Sequence, residues 1–411
     1  MAIKVIPFFS PLTPANLRDS VLEMMKIDDV EVLMPEDYTT MMQIEPDLVR
    51  GQIYILVGSG GSENLIKDFV KRVSLSSIFL LSHPLNNSLP AAMETRASLE
   101  QQGFPSRIIH GPLANLAPQL QKRARFATLI EKIGACKLGL IGKSSHWLIA
   151  SGVDDALVKA RWGLDIEHLP IEILLDNITP DLDGESEAHL KEFLSNASCS
   201  DVSEEEVAKA ARVAQQLSQI VDSEHLDAVT IECFDLLMQT KISGCYALST
   251  LNERDDFVAG CEGDIPSTFT MLLAKHLSGQ PAFMANVTDV DLESNTATFA
   301  HCTLPTSLAS EYRIMTHYET GMSLGLRGTI SPQKITILKV SGKDLTDYWV
   351  SSGDIIENLE NKTGCRTQIR VKLQDSVSYF LEESLANHHV MILGDFAEGF
   401  KDFFSFAVDG W

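Results

Sequence analysis

Two acidic side chains lie close together where an apolar strand runs into a helix. The segment reads Cys261-Glu262-Gly263-Asp264, and Pro266 follows near the start of the helix. Farther along the chain come Asn286, His301 and the pair His388-His389. Carboxylate, amide and imidazole groups are ligands that a hard or borderline divalent cation such as Mn²⁺ accepts. These residues are therefore candidate metal ligands, although no compact spacing joins them.

The same residues have simpler explanations. Free amides and the helix dipole stabilise a carboxylate at a helix N-terminus, so Glu262 and Asp264 are alternatively helix caps. His301 precedes a cysteine at the end of a strand, where an ordinary half-buried histidine is equally expected. Local pattern alone leaves both alternatives open.

The elements that must position these groups begin with two α/β regions. Over residues 1–134, short apolar strands such as Ile3–Phe8, Ile53–Val57 and Ile78–Ser82 alternate with amphipathic helical stretches. This alternation is typical of βαβ units with a mostly parallel sheet. The glycine-rich turn after the second of these strands lacks the spacing of a phosphate-binding motif, so we predict no nucleotide cofactor there.

Residues 135–280 repeat the α/β pattern, and residues 281–411 depart from it. The second region has predicted strands at Lys137–Ile141, 228–234 and 245–250, and a long helix over 203–222 that starts with capping-box spacing. From Pro281 onward, short strands dominate and helix is scarce, which indicates a barrel or sandwich. The predicted fold is thus two Rossmann-like α/β domains followed by a β-rich, barrel-like domain.

Composition excludes several classes of partner. The chain has 411 residues, with 56 Asp and Glu against 33 Lys and Arg, and a formal charge of −23. Such an acid excess repels nucleic acid and anionic membrane surfaces, and no apolar stretch approaches the length of a membrane span. The N-terminal stretch lacks a secretory signal, so we expect a cytoplasmic protein. Seven scattered cysteines without a C-x-x-C pair predict reduced, mostly buried thiols.

Several segments in a fixed order together resemble one family. They are Cys261-Glu262-Gly263-Asp264, Thr270-Met271-Leu272-Leu273, Phe283-Met284-Ala285-Asn286, His301-Cys302, and Asn387-His388-His389 with Gly394-Asp395. Their types and order resemble the L-fucose isomerase/L-arabinose isomerase superfamily. The resemblance implies a ketol isomerase that acts on a small sugar through an enediol. It also implies a homo-oligomer, a trimer or hexamer, and Mn²⁺ held by two acidic side chains and a histidine.

Carried over residue by residue, the resemblance makes Glu262 the first acidic ligand and a proton carrier. The second acidic ligand falls on Asn286, a departure from the family pattern. An amide offers the ion a carbonyl oxygen, but it brings no charge and accepts no proton. Asp264 and Asp289 are the nearest candidates for the catalytic role left vacant, and each is alternatively a helix cap or a solvated acid in a turn. The histidine ligand is His388 or His389. His301 would either lie beside the metal or contact the substrate.

Two other polar groups are candidate sugar contacts. His317 lies just after a predicted strand and Arg366 opens another, where either could hydrogen-bond a sugar hydroxyl or serve structure alone. Two rival functions also remain. One is a sugar-binding or sensor protein that needs no metal, and the other is a non-catalytic member in which Asn286 abolishes turnover.

Overall fold

The computed structural model describes residues 3–28, 30–44, 53–73 and 78–408. Met1 and Ala2 of the N-terminal stretch lie outside these ranges. The chain separates into two compact units, residues 1–131 with 405–411, and residues 132–404. Every candidate site residue belongs to the second unit.

The first unit is a parallel sheet covered by helices on both faces. Its strands are β1 (Ile3–Phe8), β2 (Val30–Val32), β3 (Ile53–Val57), β4 (Ile78–Ser82) and β5 (Ser106–His110), in the order β2-β1-β3-β4-β5. Its helices are α1 (Ala15–Met24), α2 (Pro35–Ile44), α3 (Glu63–Arg72), α4 (Ser88–Gln101) and most of α5 (Leu113–Ala135). Neighbouring residues of one strand enter different cores: Ile55 packs on one face, and Tyr54 and Leu56 pack on the other. Burial on both faces explains why these strands are apolar throughout.

The second unit begins with another parallel sheet. Its first elements are β6 (Lys137–Ile141), α6 (Asp155–Trp162), β7 (Asp165–Leu169), α7 (Glu172–Leu175), α8 (Gly184–Asn196), β8 (Cys199–Ser200), α9 (Glu204–Ser223), β9 (Ala228–Ile231), α10 (Cys233–Thr240), α11 (Cys245–Leu251), β10 (Val258–Gly260) and α12 (Ile265–Ser278). Strands β10, β9, β6 and β7 pair in that order, all parallel. The loops after β6 and β10 therefore leave the sheet at the same edge.

Helix α12 has clear start and stop signals. The Asp264 carboxylate accepts a hydrogen bond from the Ser267 N–H at 2.9 Å, and Pro266 occupies the first turn. The helix ends at Gly279, whose positive φ of 68° suits the left-handed residue that commonly closes a helix. These signals fix the position of the β10–α12 loop.

Six of the remaining strands build a closed antiparallel barrel, and all the remaining elements follow here in chain order. They are β11 (Phe283–Asp291), β12 (Thr296–His301), a 3₁₀ turn (Thr306–Leu308), β13 (Glu311–Met315), β14 (Gly325–Thr329), β15 (Lys334–Ser341), β16 (Asp347–Asn358), β17 (Thr367–Leu373), α13 (Tyr379–Glu382), β18 (His389–Leu393) and α14 (Ala397–Ala407). The barrel order is β11-β12-β17-β16-β15-β18, and β14, β13 and β8 form a separate small sheet. Phe283, Phe299 and Met391 belong to the barrel core.

The predicted fold class is confirmed, since the chain has two parallel α/β sheets followed by a barrel. One predicted element is wrong: residues 245–250 form helix α11 rather than a strand. Nearly every side chain of this short segment is buried, so the sequence shows no periodicity that separates helix from strand. The predicted strand over 228–234 stops at Ile231, because Cys233 begins α10.

The proposed boundaries at 134/135 and 280/281 stay predictions. In the part of the chain that the structure describes, no helix is long and apolar enough to cross a membrane.

Candidate active site

Four predicted site residues converge where the edge of the second sheet meets one end of the barrel. Glu262 lies in the β10–α12 loop, at the carboxyl edge of a parallel sheet, where such sheets bind ligands. Asn286 lies on β11, His301 ends β12, and His388 directly precedes β18. Strand β11 pairs with both β12 and β18, so the three barrel residues are neighbours.

The facing atoms of Glu262, His301 and His388 form a compact donor set. Glu262 Oε1 lies 3.4 Å from His388 Nε2 and 4.0 Å from His301 Nε2. All three residues are buried, and their donor atoms lie within 4.8 Å of one another. Trp147 Nε1–H donates to the other carboxylate oxygen, Oε2, at 2.6 Å. That bond turns Oε1 toward the imidazoles.

Each histidine is held through its Nδ1 atom. His388 Nδ1–H donates to Asp264 Oδ2 at 3.0 Å, and His301 Nδ1 shares a 2.7 Å hydrogen bond with the Thr303 hydroxyl. These bonds leave both Nε2 atoms toward Glu262, and His388 Nε2 is buried without a hydrogen-bond partner. Ring orientation by a second group is the usual arrangement around a metal-binding histidine. Two imidazoles and one carboxylate, with one imidazole nitrogen left without a hydrogen-bond partner, fit a borderline divalent ion.

Asp264 belongs to the layer behind the donor set. Its side chain is fully buried, it caps α12, and its Oδ2 also accepts from the Ser267 hydroxyl at 2.7 Å. Burial by itself raises the pKa of Asp264, but the fully buried Lys339 ammonium, 4.0 Å away, and His388 outweigh it. They hold the pKa well below its usual range, so Asp264 is ionised and can only accept hydrogen bonds.

The two histidines differ in protonation when no metal is bound. Burial lowers the pKa of His388, but its hydrogen bond to Asp264 and the negative charges of Asp264 and Glu262 outweigh it and raise the pKa to about 9. Burial, helped by the charge of His388, lowers the pKa of His301 to about 3. Burial also works against the charge of Glu262, yet His388, His301 and Trp147 keep its pKa below the ordinary value. The metal-free site thus holds a carboxylate, an imidazolium and a neutral imidazole.

The backbone around Glu262 is unusual and closely packed. Glu262 has a φ of +62° and Gly263 a φ of +64°. A Cβ at position 263 would lie 2.4 Å from the Lys143 carbonyl oxygen, so only glycine fits. The Ser145 N–H donates to the Glu262 carbonyl at 2.8 Å, which ties this loop to the turn after β6. A glutamate in the left-handed region is uncommon, and such residues cluster at functional sites.

A pocket opens beside the donor set. Glu262, Asn286 and His301 line it, together with His317 and Glu319. The pocket has about 420 Å³ of atom-free space including its open mouth.

Thiols make up much of the pocket wall. All seven cysteines are free, as predicted, and five of them line this pocket, namely Cys233, Cys245, Cys261, Cys302 and Cys365. The sulfur atoms of Cys233 and Cys261 lie 3.0 Å apart. Burial and the mutual interaction of these two thiols raise the pKa of Cys261 well above its usual range, so it stays protonated.

Two predicted site residues lie elsewhere. His389 is fully buried against Trp349, Tyr379 and Phe380, and its Nε2 bonds the Tyr379 hydroxyl at 3.2 Å. Neighbouring residues of an extended strand point in opposite directions, so His388 and His389 cannot both reach Glu262. Arg366 donates from Nε to the Thr316 carbonyl at 2.7 Å, which favours the structural alternative for this residue.

No sequence signal picked out Trp147 or Thr303, and Glu319 lies in the candidate sugar-contact segment of His317 without a role of its own. Glu319 follows His317 in the β13–β14 loop, and its carboxylate lies 3.8 Å from His317 Nε2. Burial and the charge of Glu262 raise the pKa of Glu319, although its side chain is still 47% exposed. The one sequence signal for Glu319 was its position after the end of a predicted strand, two residues beyond His317.

Asn286 pairs with a second amide. Asn387 Nδ2 donates to Asn286 Oδ1, and the Val287 N–H donates to Asn387 Oδ1 at 3.4 Å. Asn286 is half-buried and lines the pocket. The structure thus places it beside the donor set, with its carbonyl oxygen already bonded to a neighbour.

Comparison with known proteins points to one class. The chain is 23% identical over 329 residues to the sulfoquinovose isomerase of Priestia megaterium (strain ATCC 12872 / QMB1551), covering 76% of this chain and 72% of that protein. It is 22% identical over 331 residues to the sulfoquinovose isomerase of Alkalicoccus urumqiensis, covering 77% and 74%. No family model matches the chain. The similarities support the prediction that the protein is an enzyme and an isomerase of sugars.

Proposed function

We propose that this protein is a metal-dependent aldose–ketose isomerase that acts on sulfoquinovose or a closely related sugar. The observation that carries the proposal is the convergence of donor atoms of Glu262, His301 and His388 within 4.8 Å of one another, beside a pocket that Glu262 and His301 line. The names of the similar proteins support the reaction and the first substrate to test.

The metal would be held by Glu262, His301 and His388. Mn²⁺ is the proposed ion, and two imidazoles favour such a transition metal over Mg²⁺ or Ca²⁺. When bound, a divalent cation stabilises negative charge that develops on the sugar oxygens during enediol chemistry. Asp264 and Thr303 orient the two rings, and Trp147 orients the carboxylate.

Isomerisation also needs a group that moves a proton between two adjacent carbons. Glu319 suits this role, because its raised pKa brings it closer to neutral pH and it lies at the same pocket as Glu262. It would take the proton from C2 of the aldose and deliver it to C1, while the hydroxyl proton of O2 passes to O1, and these two transfers give the ketose. Asp264 suits that role less well, because it is fully buried and its carboxylate already has four contacts, two with Ser267 and one each with His388 and Lys339.

The test is metal-dependent turnover of sulfoquinovose in D₂O. Metal-free protein is reloaded with Mn²⁺, and NMR follows formation of the ketose and incorporation of solvent deuterium. We expect activity with about one ion per chain, lost in Glu262→Gln and His388→Ala. Glu167→Gln and His168→Ala alter exposed or half-exposed residues of β7 and serve as matched controls.

Two outcomes would overturn the proposal. A chain that binds no divalent ion cannot use this mechanism. Sugar binding that is indifferent to metal and to Glu262 would instead favour the sugar-binding alternative. A homo-oligomeric assembly and a cytoplasmic location are further proposals, to be tested by light scattering and by cell fractionation.

A further inference from the structure

We infer that Asn286 donates a hydrogen bond from Nδ2 to an oxygen of the substrate and is not a ligand of the metal. The inference rests on the proposed function, because it assigns a role at the same site. It replaces the expectation that Asn286 offers its carbonyl oxygen to the ion.

The orientation of the amide follows from its neighbours. The Val287 N–H can only donate, so the Asn387 atom that faces it is Oδ1. The remaining group of Asn387, Nδ2, therefore faces Asn286, and the atom that accepts from it can only be Asn286 Oδ1. These two hydrogen bonds together distinguish the oxygen from the nitrogen in the side chains of Asn286 and Asn387.

The Nδ2 of Asn286 is then the group left for the pocket. Among the described residues, it donates to no protein atom, and Asn286 lines the pocket beside Glu262 and His301. An amide nitrogen has no lone pair for a cation, but it offers two N–H donors. Glu262, His301 and His388 already offer three ligand atoms without the amide.

The chemistry of this position follows from its charge. A carboxylate here would attract the cation and repel an oxygen that gains negative charge during the reaction. A neutral amide with its N–H toward the pocket does the opposite, since it stabilises that oxygen as a donor in an oxyanion hole does. The ligand class is therefore a sugar oxygen that becomes negatively charged.

The first measurement is Mn²⁺ affinity without sugar, read from the electron paramagnetic resonance signal of the free ion. Metal-free wild type, Asn286→Ala and Asn286→Asp are compared, with Asn196→Ala at the exposed end of α8 as control. We expect Asn286→Ala to bind Mn²⁺ within about twofold of wild type, and Asn286→Asp to bind it at least about tenfold more tightly. An affinity about tenfold weaker in Asn286→Ala would make Asn286 a ligand and overturn the inference.

The second measurement is sulfoquinovose turnover at saturating Mn²⁺. Removing the donor should lower kcat about 100-fold in Asn286→Ala, and Asn286→Asp should not restore it despite its tighter ion binding. Wild-type kcat in Asn286→Ala would overturn the donor role. If the wild-type protein itself bound no Mn²⁺, the proposed function would be overturned together with the inference. Normal Mn²⁺ binding and turnover in wild type, with an unchanged kcat in Asn286→Ala, would overturn the role of Asn286 alone.

Discussion

Replacing Asp264 with Asn tests how the layer behind the site controls metal binding. Asn caps a helix as well as Asp does, so Oδ1 can keep the Ser267 N–H bond. The other group becomes an NH₂ donor that faces His388 Nδ1, which now has to accept. The imidazole then carries its proton on Nε2, the atom that faces Glu262, and it can no longer bind an ion there.

The expected loss of Mn²⁺ affinity follows from the kind of contact that is changed, a hydrogen bond to a metal-binding histidine. Changing the partner of a metal-binding histidine costs about 10–100-fold in affinity, or about 1.4–2.7 kcal/mol. We expect the upper end, about 100-fold, because the change inverts the 3.0 Å hydrogen bond instead of only removing it. Lys339, which is fully buried and 4.0 Å from Asp264, also loses its anionic neighbour. Its pKa is already lowered by burial, so it can deprotonate and limit the loss of stability.

The assay is Mn²⁺ titration of metal-free protein by calorimetry, with urea unfolding of the same samples. Asp183→Asn is the matched control, since Asp183 caps α8 through a Ser186 N–H bond of 2.8 Å and, among the described residues, accepts no hydrogen bond from a histidine. The control should keep wild-type affinity. A folded Asp264→Asn variant that binds Mn²⁺ as tightly as wild type would refute the tautomer argument.

Three further predictions concern the β10–α12 loop, the Trp147 indole and the pH dependence of stability. Gly263→Ala should lower the free energy of unfolding by at least about 3 kcal/mol, since the new methyl meets a backbone carbonyl at 2.4 Å. Gly279→Ala, with a similar φ and nothing within 4 Å, should cost only about 1 kcal/mol in the same urea titrations. Trp147→Phe removes the 2.6 Å donor to Glu262 and should weaken Mn²⁺ binding about tenfold by calorimetry; unchanged affinity would contradict that role. In metal-free protein, His388 keeps its proton up to about pH 9 when folded but only to about 6.5 when unfolded. The unfolding free energy should therefore fall between these pH values by about 1.4 kcal/mol per pH unit, a slope that His388→Gln must lack.

The fold could be predicted from the sequence because its signals are local. Parallel strands buried on both faces give continuous apolar runs, as in β3 and β4, and capping residues mark the starts of α9 and α12. Helix α11 could not be predicted, since a segment buried on nearly every side shows no amphipathic period.

The site depends on contacts between distant parts of the chain. The order of segments brought Glu262, His301 and His388 under consideration, but spacing alone could not show that their donor atoms meet. It also could not choose between His388 and His389, because that choice depends on which face of β18 is turned to the barrel core. Glu319 carries no pattern of its own, and only the folded pocket brings it near Glu262.

The positive φ of Glu262 has an evolutionary consequence. The left-handed conformation lowers the stability of the fold by about 1 kcal/mol when the residue is glutamate. Glycine adopts it without this cost, and asparagine with a smaller one. Under relaxed selection, mutations at codon 262 toward those residues would relieve this backbone strain while they removed the carboxylate. Lineages that stopped using the site would therefore lose Glu262 early, so the residue at this codon is a sensitive marker for separating active members from inactive descendants.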